Sequence, residues 1–213
     1  MKQIKTIAIV GGGTLSKQFL SEIIKSDYII GVDRGAFWLI DHNVLPDISI
    51  GDFDSVTAEE LRMIKQKCQH IEKHPKKKNE TDMEIAVKHA MGMHPKEVKI
   101  YGAVGDRLDH TLVNVQLLER LHGKAITGVI RDEHNEVRMV DSLFIMKKEN
   151  RFRYVSILPV TETVEISLTG FVYNLSRVLI RRGQTLGVSN EIREDEATID
   201  VCKGKAIIIR SRD

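Results

Sequence analysis

The stretch IKTIAIVGGG, residues 4–13, decides the architecture. Its β-branched apolar run closed by three glycines predicts a buried strand feeding a tight turn, the usual opening of an α/β domain. The alternation then repeats along the chain. A helix is predicted over residues 15–25 and a strand over 28–32 that ends at Asp33-Arg34-Gly35. A short strand over 48–50 ends at Gly51-Asp52-Phe53-Asp54, and a charged helix near 57–66 leads to an extended segment at 69–74. A second helix starts at Thr81 and a strand covers 98–101. After Gly102-Ala103-Val104-Gly105 comes a further helix, with Leu108, Leu112, Val115, Leu118 and Leu121 spaced by three or four. Strands alternating with helices predict an α/β fold with a mostly parallel sheet covered on both faces.

After Lys124 the helix signals stop. Short β-rich runs follow at 125–130, 137–140, 143–146, 154–158, 164–168, 178–180, 197–201 and 206–209, punctuated by Gly170, Asn174, Gly183, Gly187, Asn190 and Gly204. Such punctuation suits hairpin connections and predicts a second, all-β domain. The boundary is placed at 135/136, although the run at 125–130 is also able to complete the first sheet.

The 213 residues carry 32 Lys and Arg against 30 Asp and Glu, a net charge of +2, which leaves no strong field for nucleic acid. With 42% hydrophobic and 29% charged residues the chain has the makeup of a globular protein. Cys68 and Cys202 are far apart and outside any CxxC pair, so neither a disulfide framework nor a four-cysteine zinc site is expected, and a cytoplasmic location fits. The N-terminal apolar run stops at Gly11, too soon for a leader or a spanning helix. No membrane partner is expected.

In open parallel sheets ligands sit beyond the carboxyl ends of the strands. Gly11-Gly12-Gly13-Thr14 can bring backbone N–H groups to a phosphate, or be a plain turn; Ser16 stands where a dinucleotide fingerprint needs its third glycine. Asp52 and Asp54, two apart in extended chain, are expected to point into one crevice and share a hard divalent cation. Two solvated turn acids are the plainer alternative. Thr81-x-x-Glu84 reads as a capping box, which leaves Asp82 unexplained, and the preceding Lys76-Lys77-Lys78 can meet polyphosphate. Gly105-Asp106-Arg107-Leu108-Asp109-His110-Thr111 concentrates more charge at a helix start than capping needs, and Arg offers a planar fork for phosphate. Cys68, His70 and His74 lack a fourth ligand for zinc.

Together these segments resemble the bacterial thiamine pyrophosphokinase family. The resemblance runs in order through GGG at 11–13, DRGA at 33–36, GDFDS at 51–55, KNETDMEIA at 78–86, GAVGDRLDHTLVN at 102–114 and GVSNE at 187–191. It implies a Rossmann-like catalytic domain over 1–135 followed by a small thiamine-binding β-sandwich over 136–213, working as a homodimer with the active site between subunits. The implied reaction moves the pyrophosphoryl group of ATP onto the hydroxyl of thiamine, leaving AMP. By resemblance Asp52, Asp54 and Asp82 hold Mg²⁺; Asp54, Asp82, Arg107 and Asp109 are catalytic, with either Asp54 or Asp82 as proton acceptor. Gly12, Gly13, Asp33, Lys78, Asn79, Thr81, Asp106 and His110 fall on the ATP side, and Ser189, Asn190 and an aromatic face, Tyr173 or Phe171, on the thiamine side. Asn79 stands where relatives often carry Asp.

Two other classes compete. Asp52-Phe53-Asp54-Ser55 also resembles the nucleophile loop of haloacid-dehalogenase phosphohydrolases, which form an aspartyl-phosphate. That motif, however, follows the third predicted strand instead of opening the domain. A non-catalytic nucleotide or thiamine sensor would use the same crevice.

Overall fold

The computed structural model describes residues 4–213, so Met1, Lys2 and Gln3 lie outside the described residues. The chain divides into two compact units meeting at Glu133 and His134.

The first unit runs β1 (Thr6–Val10), α1 (Leu20–Ile23), β2 (Tyr28–Val32), α2 (Arg34–Asp41), β3 (Ile48–Gly51), α3 (Ala58–Lys67), β4 (Ile71–Lys73), α4 (Asp82–Gly92), β5 (Glu97–Tyr101), α5 (Leu108–His122) and β6 (Thr127–Arg131). Its strands lie in the order β4-β3-β2-β1-β5-β6 and every pair is parallel. The predicted run at 125–130 does complete this sheet, as β6. Strands this rich in Ile and Val are covered on both faces: Ile7, Ala8, Ile9 and Val10 are all fully buried. Chain order reverses between β1 and β5, which places the topological switch point at their carboxyl ends.

Two local expectations differ. The helix predicted over 15–25 is a short 3₁₀ turn, Lys17–Phe19, running into the four-residue α1. On α5 the buried side is Asn114, Leu117, Leu118 and Leu121, whereas Leu108 and Leu112 are exposed. The cause is position: Arg107, His110, Thr111 and Asn114 face the cleft described below, which turns Leu108 and Leu112 outward. At the helix starts, Thr57 and Glu60 form a complete capping box on α3. Thr81 accepts from the Glu84 N–H at 3.1 Å, but the Glu84 carboxylate goes to Lys88 and Arg120, so only half of the predicted box exists on α4.

The second unit comprises β7 (Asn135–Val140), β8 (Leu143–Lys147), β9 (Tyr154–Pro159), β10 (Thr163–Thr169), β11 (Leu175–Arg181), β12 (Glu196–Lys203) and β13 (Ala206–Ser211). All its pairings are antiparallel, in the orders β7-β13-β9 and β11-β10-β12-β8. Alternate residues of both sheets, such as Val155, Ile157 and Ile208 against Val164, Ile166 and Ile199, share one core. Among the described residues no helix is long and apolar enough to cross a membrane.

Candidate active site

A cleft of about 740 Å³ opens at the switch point of the first unit. Its floor is backbone. The turn after β1 is stitched to the turn after β5, with the Gly13 N–H donating to the Gly102 carbonyl at 2.9 Å and the Thr14 N–H to the Val104 carbonyl at 2.7 Å. A side chain at Gly13 would stand 2.3 Å from the Val104 oxygen, so only glycine permits this approach. The buried Asn114 amide donates to the Ala103 carbonyl at 2.7 Å and fixes the second turn from α5. Sequence reasoning missed Asn114; its signal was a polar residue on the face of α5 that also carries Leu117, Leu118 and Leu121.

Along one wall, Asp33, Asp52 and Asp82 bring a carboxylate oxygen each to within 4.8 Å of one another. They come from the ends of β2 and β3 and the first turn of α4. Asp33 (φ 46°) and Phe53 (φ 61°) both have left-handed backbone, uncommon for residues with side chains. The two kinks are joined: the Phe53 N–H donates to Asp33 Oδ1 at 3.0 Å, while the Phe53 ring is buried with Ala36, Ile40 and Ile64. Gly51 is needed here as well, because a Cβ on it would fall 2.0 Å from Asp33 Oδ1.

This kink redirects Asp54. Residues two apart share a direction only in extended chain. With β3 ending at Gly51, Asp52 Oδ1 instead accepts the Asp54 N–H at 2.9 Å in a tight turn. Asp54 still borders the cleft, but its carboxylate is half exposed, 2.9 Å from the Lys76 ammonium, and lies outside the trio. Hydrogen bonding to Lys76 holds its carboxyl below the usual range.

The Lys78 ammonium sits against the trio, 2.9 Å from Asp82 Oδ2 and 3.8 Å from Asp52 Oδ2. The other oxygen of Asp82 is buried with no hydrogen-bond partner among the described residues. Burial, and then the neighbouring charges of Asp82 and Asp52, push the Asp33 carboxyl from its ordinary 3.8 up to about 7, against the opposing pull of the Phe53 N–H and Lys78. Three acids this close, with one oxygen unsatisfied, suit a hard divalent cation.

Gly12, Gly13, Thr81, Asp106, Arg107 and His110 all line the cleft. Asn79 and Asp109 are exposed and outside the lining. Asp109 forms a two-pronged pair with Arg107, at 3.2 and 2.6 Å, which lowers its carboxyl and raises the guanidinium. Cys68, His70 and His74 do not gather: Cys68 is buried and accepts from the Ser49 hydroxyl, and His74 pairs with Glu72.

The residues expected on the thiamine side lie in the second unit. Val172, Tyr173, Leu175, Leu186, Val188 and Asn190 line an apolar recess of about 450 Å³. Tyr173 is 70% exposed there, whereas Phe171, the other aromatic considered, is 1% exposed and part of the core. Ser189 is exposed, with its N–H on the Ser156 hydroxyl. The Asn190 side chain is bonded to the Tyr173 backbone.

Fold and cleft define the class: a doubly wound α/β unit of the kind that takes ligands at its switch point, followed by an antiparallel β unit. The family model for the thiamin pyrophosphokinase catalytic domain matches residues 19–130, and that for the thiamin pyrophosphokinase vitamin B1 binding domain matches residues 143–205. The thiamine pyrophosphokinase of Bacillus subtilis (strain 168) is 35% identical over 214 residues, covering 99% of this chain and 100% of that one. The crystal structure of thiamine pyrophosphokinase from Bacillus subtilis superposes with a TM-score of 0.92 at 34% identity, over 98% of this chain and 100% of that one. That of the Geobacillus thermodenitrificans thiamin pyrophosphokinase gives 0.88 at 34% identity, over 98% of each chain. Yeast thiamin pyrophosphokinase shares the fold, with a TM-score of 0.81 at 14% identity over 99% of this chain and 87% of that one. The chain belongs to the thiamine pyrophosphokinase family.

Proposed function

We propose that this chain transfers the pyrophosphoryl group of ATP to the hydroxyl of thiamine, giving thiamine diphosphate and AMP. The observation that carries the reading is the carboxylate trio beside two glycine turns, in a chain of this family. Asp33, Asp52 and Asp82 fit a divalent cation, Mg²⁺ in this reading, with Asp54 on the same rim. Bound there, the ion would neutralise charge on the triphosphate oxygens.

The chain's own residues supply alignment and proton acceptance, which in-line phosphoryl transfer needs more than covalent help. The missing side chains of Gly12 and Gly13 let a phosphate come close to the turn, with Thr81, Asp106 and His110 around the nucleotide. Arg107, oriented by Asp109, offers a fork to the transferring group, and Lys78 a point charge. Asp54 or Asp82 accepts the hydroxyl proton as the new bond forms. Tyr173 faces the thiamine cation, with Ser189 and Asn190 near the aminopyrimidine.

The active form in this reading is a cytoplasmic homodimer, in which the cleft of one subunit works with the β unit of the other. Leu108, Leu112, Leu143 and Ile145 leave apolar side chains exposed, as a subunit interface requires. Incubation with ATP, Mg²⁺ and thiamine, followed by separation of AMP from ADP, tests the reaction. AMP in step with thiamine diphosphate is expected; ADP, or phosphate without AMP, refutes it.

A further inference from the structure

Asn190 carries an amide that the fold has already committed. The residue is 7% exposed, and its Oδ1 accepts from the Tyr173 N–H at 3.1 Å and the Glu191 N–H at 2.9 Å. Its Nδ2 donates to the Tyr173 carbonyl at 2.8 Å. An Asn amide offers two donor and two acceptor positions, and three of the four are thereby used. The Asn190 backbone is committed as well: its N–H and carbonyl pair with Val155 of β9 at 3.0 and 2.7 Å.

One residue thus grips Tyr173 at both its N–H and its carbonyl, as a neighbouring strand would, while being anchored to a strand itself. Tyr173 sits in the loop between β10 and β11 with its ring exposed on the rim of the apolar recess. A loop held at both polar groups of one residue presents that ring in a single place before any ligand arrives. Such preorganisation improves affinity by removing an ordering cost.

We infer that Asn190 is a positioning residue that acts on thiamine through Tyr173, holding its ring as a fixed wall of the recess. The inference rests on the reading of the recess as the thiamine subsite. A double-mutant cycle on the full-length protein separates the two. Tyr173→Ala and Asn190→Ala are each expected to raise the thiamine KM by about three- to thirtyfold, the range for losing an aromatic face on a cation, with the ATP KM unchanged. The double variant is expected to match Tyr173→Ala alone, because with the ring gone the backbone that Asn190 holds no longer presents anything to thiamine. Multiplying effects in the double variant would overturn the inference, since they require an independent contact between Asn190 and thiamine. An unchanged thiamine KM in Tyr173→Ala would instead overturn the reading of the recess. Should Asn190→Ala fail to fold, Asn190→Ser carries the same cycle. Amide hydrogen exchange gives a second readout: the Tyr173 N–H should lose protection in the Asn190 variant while the amides of β10 keep theirs, and retained protection at Tyr173 would refute the clasp.

Discussion

Replacing Asp33 by Asn removes one charge from the trio and changes almost nothing else. The amide keeps an oxygen for the Phe53 N–H and has the same shape. In the folded protein the Asp33 carboxyl lies near 7 against an ordinary 3.8, so the charged form is disfavoured by about 4 kcal/mol. Because the folded value is the raised one, the stability tied to this group is fully present below about pH 4 and is lost as the pH climbs through about 7. Urea unfolding in EDTA should therefore find Asp33→Asn more stable than the parent at pH 8.5, by about 2–4 kcal/mol, with the gap closing toward pH 4. Millimolar Mg²⁺ should narrow the gap at pH 8.5, since the parent then has a cation to offset its third carboxylate. Parallel stability curves for the two proteins between pH 5 and 8.5 would refute the crowded-carboxylate account of this wall.

Three further substitutions probe the cleft. Asp54→Asn should abolish turnover yet leave the melting temperature unmoved, because its carboxylate is half exposed and pairs with Lys76, while the bond to Asp52 is made by the Asp54 backbone N–H and survives the change; near-normal kcat would remove Asp54 from the chemistry. Lys78→Met takes a competing ammonium off Asp82 and Asp52, so Mn²⁺ titrated into nucleotide-free protein and followed by electron paramagnetic resonance should bind about fivefold tighter or more. Unchanged or weaker Mn²⁺ binding would mean that Lys78 does not occupy the cation's place. Asn114→Leu strands the Ala103 carbonyl and should cost about 1–3 kcal/mol in urea unfolding while raising the ATP KM, and an unaffected ATP KM would separate the turn after β5 from nucleotide binding.

The centre of the sheet was legible because β1, β2 and β3 are almost wholly buried and therefore read as Ile- and Val-rich runs ending in glycine or acid. All eight β-rich runs after Lys124 are strands, since turn residues at Gly170, Gly183 and Gly204 mark their ends and each of the three has left-handed backbone. Local pattern failed where a distant partner set the geometry. Asp52 and Asp54 part company because Phe53 is drawn into the core beside Ile64 and into a bond with Asp33, twenty positions away. The apolar stripe of α5 was extended too far, because nothing local says that its first two turns face a cleft instead of the sheet. The Asn190 clasp joins positions 155, 173 and 190, and a Ser-Asn pair in a turn carries no mark of such a pairing.

The bent backbone at Phe53 makes the carboxylate wall of the cleft hostage to a helix. A left-handed residue with a side chain costs about 1 kcal/mol or more, and here that cost is met by a ring wedged among Ala36, Ile40 and Ile64. Loosening α3 frees the ring, lets the chain at Phe53 relax to an ordinary conformation and withdraws its N–H from Asp33, while the parallel strands stay paired. Warming should therefore silence this protein before it melts it, with catalysis fading alongside amide protection in α3.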